Sequence, residues 1–368
     1  MGSGLPSPRR AVSGIISGYV LRLVRESTGR TQIGFAEEVA VDLATVQGWE
    51  SGRRPLANMK AGSLLDLRRR LPLLGADPAL MQLLDPALDA DRIITATLEP
   101  PPQAERHPLA GWVHTRTTAH MIAWAVNGTP PPLIAARPQP VRRGAVPTAP
   151  LLPAQQKADL FGRLRDAADS AHLAGQAAPL LRRQALYLTS YDRSPGASSW
   201  TALALHQRRG VLSVRGWSPA WAEARSVATA LARQGDHQPL SDFITRALVD
   251  DDRSEAANLN YWAYWLGAAQ QPQASDGFMA DTDMPGWDPV TLLRLLAQGL
   301  IEAPTYAELY AHTLWALLAA HPWLPLAAPV LAGELADETA RILDTEPISA
   351  RARREFADVN YRLSNRTT

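Results

Sequence analysis

Cysteine is absent from the 368-residue chain. That excludes disulfides, zinc–thiolate sites, iron–sulfur clusters and a cysteine nucleophile. Lysine is nearly absent, since 35 of the 37 basic side chains are Arg, and Phe numbers 5 against 11 Trp. No apolar run is long enough to span a bilayer. The best, residues 314–333, is cut by Pro322, Pro325 and Pro329 and reads as a broken, buried helix pair. Arg9-Arg10 ahead of an apolar stretch imitates a twin-arginine signal, but no A-x-A-like site follows, and Arg22, Arg25 and Glu26 interrupt the stretch. The expected location is cytoplasmic, with no membrane partner. Strand patterns are scarce, residues 211–214 being the best short candidate. Walker A, GxGxxG, GxSxG and HExxH patterns are missing, and the 8 His form no close pair on a helical face. The acidic stretches Asp250-Asp251-Asp252 and Asp276…Asp281-x-Asp283 lack the offsets of a calcium loop. No metal, cofactor or enzymatic chemistry is therefore expected.

What is present is a charge gradient and a helical rhythm. Net charge is +1 overall, yet residues 1–70 carry 11 basic and 6 acidic side chains, against 26 and 30 in the remainder. A basic end on an otherwise acidic chain points to an anionic partner for that end. Val12, Ile15, Ile16, Tyr19, Val20, Leu23 and Val24 follow the spacing of one amphipathic helix stripe. Short helices are expected through residues 12–95. Residues 96–153 read as a Pro-rich junction, with 12 of the 30 Pro falling in 100–153 and one helix over 109–126 that Gly128 stops. Residues 133–153 read as an extended linker. From Ala154 helical periodicity predicts elements at 154–175, 179–191, 198–209, 219–234, 240–250, 254–270, 288–300, 305–320, 326–344 and 348–364. Ser218-Pro219 and Asp288-Pro289 read as helix starts, and Thr305-x-x-Glu308 as a capping box. The fold class is all-α, with residues 154–366 as the larger helical domain. The roughly 34-residue tetratricopeptide register occurs only in fragments such as 221–235, so a helical array and an irregular bundle both stay open.

Residues 25–55 are the informative segment. Thr31 is placed to cap a short helix from Gln32 to about Val39, with Phe35, Ala36 and Val39 facing inward and Ala36 small enough for a crossing helix. A tight turn follows at Ala40-Val41-Asp42. Asp42 caps a second helix over 43–51, whose inward residues are Val46 and Trp49, and Gly52 ends it where a left-handed residue is needed. Two short helices joined by such a turn, with Arg53 and Arg54 beyond, make a helix-turn-helix.

The order and gaps of Thr31-Gln32, Ala36-Glu37, Val41, Thr45-Val46, Trp49-Glu50, Gly52 and Arg53-Arg54-Pro55 resemble the Cro/CI-type (Xre family) DNA-binding domain across roughly residues 13–71. One departure is Ala40, at a turn position usually taken by Gly. The resemblance implies double-stranded DNA as partner. It places Leu43, Ala44, Thr45, Gln47 and Gly48 at the exposed, base-facing positions of the recognition helix, with Thr45 also suited to a phosphate. It places Gln32, Arg53 and Arg54 on phosphates, and pairs Arg25 with Glu50 in an internal salt bridge. Gln47 is the one side chain able to bond adenine in a bidentate manner, so apolar contact and DNA shape are expected to share the specificity.

Ten of the 11 Trp lie beyond this segment. The densest aromatic cluster runs from Asn258 to Trp265. Asn258 with Trp262, and Tyr261 with Trp265, are spaced to share helix faces. Two readings are open: a pocket or partner groove with Asn and Tyr as polar fingers, or a core or dimer interface. The whole region broadly resembles the helical C-terminal parts of Xre-type regulators of actinobacteria. The resulting expectation is a homodimeric, sequence-specific transcriptional regulator on a palindromic operator, nucleoid-associated, whose C-terminal helices dimerise and answer a small-molecule or protein effector. The alternative is a helical interaction scaffold, or a phage- or plasmid-maintenance factor, tethered to DNA by its N-terminal domain.

Overall fold

The computed structural model describes residues 14–137, 147–169, 177–281, 286–345 and 347–365. Every regular element among them is helical, and no helix among them is long and apolar enough to cross a membrane. The chain forms two compact units, Met1–Ser194 and Pro195–Thr368. The division therefore falls after Ser194, beyond the boundary expected between residues 153 and 154.

In the first unit α1 (Ile15–Ser27), α2 (Gln32–Glu38) and α3 (Leu43–Glu50) are followed by α4 (Ala61–Leu73), the single turn α5 (Pro78–Met81) and α6 (Leu84–Leu98). The segment expected to be a junction contributes α7 (Pro108–Gly111), α8 (Arg116–Asn127) and α9 (Pro132–Ala135), and the unit closes with α10 (Ala154–Asp169) and α11 (Ala177–Thr189). Of the stripe on α1, Ile16, Tyr19, Val20 and Val24 lie in the core, whereas Ile15 and Leu23 are half-buried and Leu21, outside the stripe, is fully buried. α1 packs on α6, and α6 packs on α8 and α10, so the N-terminal helices share one core with the Pro-rich segment. Tyr19 of α1 meets Trp124 of α8 edge to face, with ring centres 5.0 Å apart. The start of α1 is capped from a distance. Asp91 on α6, 4% exposed, accepts from the amides of Ile16 (3.1 Å) and Ser17 (2.8 Å). Burial is the main reason its carboxyl pKa is pushed up to about 6, against those same hydrogen bonds.

The helix expected over 109–126 is two pieces. Trp112 is extended (φ −157°, ψ 157°), and α8 starts afresh from a Thr115 cap. The interruption is stable because the fully buried Gln184 on α11 serves the freed backbone groups. It donates to Leu109 O and Trp112 O and accepts from His114 N, at 2.8–2.9 Å. Gly128, at φ 79°, ends α8 as expected.

The second unit contains α12 (Ala197–Gln207), α13 (Trp221–Arg233), α14 (Gln238–Ala247), α15 (Asp252–Leu266), α16 (Pro289–Glu302), α17 (Ala307–Ala320), the single turn α18 (Leu324–Ala327), α19 (Pro329–Thr345) and α20 (Ala350–Ser364). These follow the predicted periodicity closely. The Asp288 cap on Thr291 N (2.8 Å) and Pro289 in the first turn are as read. Three local expectations are corrected. Residues 211–214 are not a strand; most of them lie in the 3-10 turn Arg209–Ser213, where Val211 N reaches back to Arg208 O. Pro219 precedes α13, because Ser218 O already accepts from Trp221 N in a turn. Thr305 sits in a 3-10 turn with no side-chain cap, and Glu308 is drawn away to α20, where it accepts from Ser349 N and Oγ (2.7 Å each). The expected end of the 154–175 helix, Val12 and Asp283 lie outside the described residues.

The turn between α2 and α3 carries backbone strain. Ala40 has φ 57°, a left-handed conformation that Gly adopts without the Cβ penalty, and its side chain is exposed. Ala40→Gly should stabilise the first unit by about 1 kcal/mol. Urea titration followed by hydrogen exchange of the α2 and α3 amides checks this, and a loss of stability would show that the turn gains nothing from Gly.

Candidate nucleic-acid interface

The α2–turn–α3 unit is assembled from local caps. Thr31 Oγ1 accepts from Gly34 N (3.2 Å), and Asp42 Oδ1 accepts from Thr45 N (2.5 Å). The hydroxyl and amide of Thr45 hold the Asp42 carboxyl below its ordinary pKa, which keeps the cap ionised at the positive end of α3. Phe35, Ala36, Val46 and Trp49 are buried, while Val39 is only half-buried. Gly52 ends the unit at φ 73°. A Cβ there would lie 2.8 Å from Ile15 N, so Gly52 serves both the turn and the close approach of α1.

A buried polar clamp fixes α3 to α1. Arg25 Nε donates to Glu50 Oε1 (2.5 Å) and Arg25 Nη2 to Glu50 Oε2 (3.2 Å). Arg25 Nη1 donates to Arg30 O (2.7 Å), and Gln32 Nε2 donates to Glu50 Oε2 (2.6 Å). The pair implied by the resemblance is thus formed, and Gln32 joins it from the first turn of α2.

The candidate readers divide by exposure. Leu43, Ala44 and Gln47 are exposed on α3, and Thr45 is half-buried. Gly48, expected to face outward, is buried, because the Arg54 side chain lies across it: a Cβ on Gly48 would meet Arg54 Cδ at 2.8 Å. Arg54 folds back over the helix and gives Nη1 to Thr45 Oγ1 (2.6 Å). Arg53 is exposed and contacts Ser51 Oγ through Nε (3.2 Å). Gln47 and Arg53 are therefore the outward polar groups at the end of α3, with Arg54 beside them but engaged.

Sequence reading missed a cleft on this side of the unit. It has a volume of about 1060 Å³, and its lining includes Tyr19, Arg22, Gln32, Gln47 and Arg53 on one side and residues 147–151 on the other. That wall comes from a segment expected to be only a linker. The density of Pro around it was the sole signal in the sequence.

In the second unit Asn258, Tyr261 and Trp262 are buried and Trp265 is half-buried. Asn258 Nδ2 donates to Thr313 Oγ1 (3.0 Å), and Trp262 packs on Tyr310 with ring centres 4.9 Å apart. Tyr261 stacks on Trp265 at 6.1 Å, and the Arg225 guanidinium lies 3.8 Å over the Tyr261 ring. Of the two readings, packing is the one this arrangement supports. Sequence reading also missed His312, which is fully buried between Glu255 and Glu355. No group of three or more acidic or His side chains among the described residues is arranged to hold a metal.

Comparison of the chain with protein-family models, curated proteins and solved structures finds no match to any of them.

Proposed function

We propose that the first unit binds double-stranded DNA as a helix-turn-helix of Cro/CI type, with α3 entering the major groove. The chain would then act as a sequence-specific transcriptional regulator that pairs with a second copy on a palindromic operator. The observation that carries this reading is α3 itself. It is capped by Asp42, clamped at its far end by Arg25, Glu50 and Gln32, and turns Leu43, Ala44 and Gln47 outward, with Arg53 just beyond. That combination suits a rigid reader: Gln47 for an adenine edge, Leu43 and Ala44 for thymine methyls, and Arg53 for a phosphate. The second helical unit is assigned dimerisation and response to an effector.

Sequencing the genomic fragments retained by the purified protein tests binding, specificity and palindromy together. Retention of a palindromic motif supports the regulator. Retention without sequence preference supports a scaffold that DNA merely tethers, and no retention ends the DNA reading. On an enriched site, Arg53→Ala should weaken binding to all sequences and flatten the log–log salt slope by about one unit. Gln47→Ala should instead cost about 1–3 kcal/mol and relax one base position. Arg54→Ala should in addition lower stability, because it uncovers Gly48 and frees Thr45; a purely electrostatic effect there would contradict the packing role.

A further inference from the structure

The Pro-rich segment at 147–153 has neither helix nor strand and bends at Thr148–Ala149, and its prolines fix φ at Pro147, Pro150 and Pro153 before any partner arrives. It is pinned at both ends of its course. Thr148 O accepts from Tyr19 Oη (2.7 Å), and Leu152 N donates to Ala125 O (2.9 Å) while the Leu152 side chain is buried. Both anchors belong to the core that seats α1, since Tyr19 packs on Trp124 one residue before Ala125. The strap therefore stands at a fixed distance from α1 and forms one wall of the cleft described above.

The opposite wall holds Gln47 and Arg53, the polar groups assigned to DNA, together with Arg22 and the clamp residues Arg25 and Gln32. Glu50 is the one acidic side chain lining the cleft, and Arg25 and Gln32 already occupy both its oxygens. Arg22 gives its Nε to Glu26 (2.8 Å), and its guanidinium lies over the Tyr19 ring at 5.8 Å. The field in the cleft is thus positive, and its exposed apolar parts, Pro147 and Leu151 among them, match the face of a sugar better than a charged group.

From this we infer that the 147–151 strap is a second DNA-contacting element, and that the sugar–phosphate backbone flanking the segment read by α3 runs through the cleft between the strap and α1. The inference rests on the DNA reading above and extends it to residues more than ninety positions from the helix-turn-helix. A wall held in place beforehand adds contact at little cost in ordering. The contact is to backbone alone, so it carries affinity and position without base preference.

The absence of cysteine makes the test direct, because a single introduced thiol is unique. Thr148 is exposed and its contact to Tyr19 uses the main-chain oxygen, so Thr148→Cys leaves the pin intact. An iron–EDTA reagent attached there should, on a labelled duplex carrying one site enriched from the retained genomic fragments and bound by the full-length protein, cut the strands in one short window. Leu151→Cys, on the same strap and 49% exposed, should cut an adjoining window and guards against failure of the first variant. In parallel, Thr148→Glu should weaken binding several-fold and Thr148→Lys should tighten it, the salt slope moving by about one unit in opposite directions. If the unlabelled protein binds the duplex but both conjugates leave it uncut and both charge variants bind as the parent does, the strap lies off the DNA and this inference fails alone. If the unlabelled protein binds no duplex, the strap and the DNA reading fall together.

Discussion

Replacing Glu50 by Ala should destabilise the first unit by about 3–5 kcal/mol, the range for removing one partner of a buried ion pair. The side chains of Arg25 and Glu50 are 9% and 4% exposed. Glu50 takes two hydrogen bonds from Arg25 and one from Gln32, so a single carboxylate ties α1, α2 and α3 together. Its loss strands a buried guanidinium, for which Glu26 at 3.8 Å is a weaker partner nearer the surface. Glu50→Gln keeps the shape and some of the bonds, and should cost about 1–3 kcal/mol. The double variant Arg25→Met with Glu50→Leu should recover most of the loss, because an apolar pair of similar volume escapes desolvation. With two compact units a single unfolding transition is not assured. The measurement is therefore hydrogen exchange of the α1–α3 amides under mild urea. If the double variant is as unstable as Glu50→Ala, the cost lies in packing and not in an uncompensated charge. On the DNA reading proposed above, the same loosening should weaken that binding, although Glu50 is itself buried in the clamp.

What could be read from sequence, and what could not, divides along range of interaction. The caps at Thr31, Asp42 and Asp288 act on amides three residues away, and the sequence displays both partners at once. Gly52 and Gly128 are likewise local: a helix that must end needs a left-handed residue, and each supplies one. Ala40 was visible as a departure from Gly, and the left-handed φ it adopts shows that the turn geometry prevails over the preference of the residue. The failures share a cause. Glu308 had the spacing of a capping box but found Ser349 and Arg351 on α20, stronger donors brought in by tertiary packing. The break at Trp112 depends on Gln184, and the cap of α1 depends on Asp91, 75 residues from Ile16. None of these partners shares a sequence window. The strap at 147–151 was hidden for the same reason. Its lack of helix was foreseeable from its prolines, but its bend at Thr148–Ala149 and its seat against Tyr19 were not.

The largest effect in the second unit should come from His312, and it should depend on pH. His312 is fully buried on α17, with Nε2 2.8 Å from Glu255 Oε1 on α15 and Nδ1 2.9 Å from Glu355 Oε1 on α20. An ionised carboxylate only accepts, so both ring nitrogens must carry protons, and the ring is an imidazolium. Burial by itself lowers its pKa; the hydrogen bonds and charges of Glu255 and Glu355 outweigh burial and raise it to about 9. Arg351 and Glu308 complete the cluster: Arg351 donates to both oxygens of Glu355 and to Glu308 Oε2. The Trp315 ring stacks on the imidazole at 5.9 Å. A folded-state pKa above the ordinary 6.5 means that the folded state holds the proton more tightly. The stabilisation is therefore complete below about pH 6.5, declines through the interval above it and is lost as pH passes about 9, with a full size of about 3 kcal/mol. His312→Gln should remove this dependence while leaving a hydrogen-bonding side chain, so the advantage of the parent protein should be largest in mild acid and shrink toward pH 9. His312→Ala should cost more, because Glu255, whose second oxygen is buried without a hydrogen-bond partner, then loses the bond it has, whereas Glu355 keeps Arg351. Hydrogen exchange of the α15, α17 and α20 amides across this pH range reads the effect in the right place. A difference between parent and His312→Gln that stays constant from pH 6 to 10 would show that the ring is neutral and that the clamp is held by packing alone.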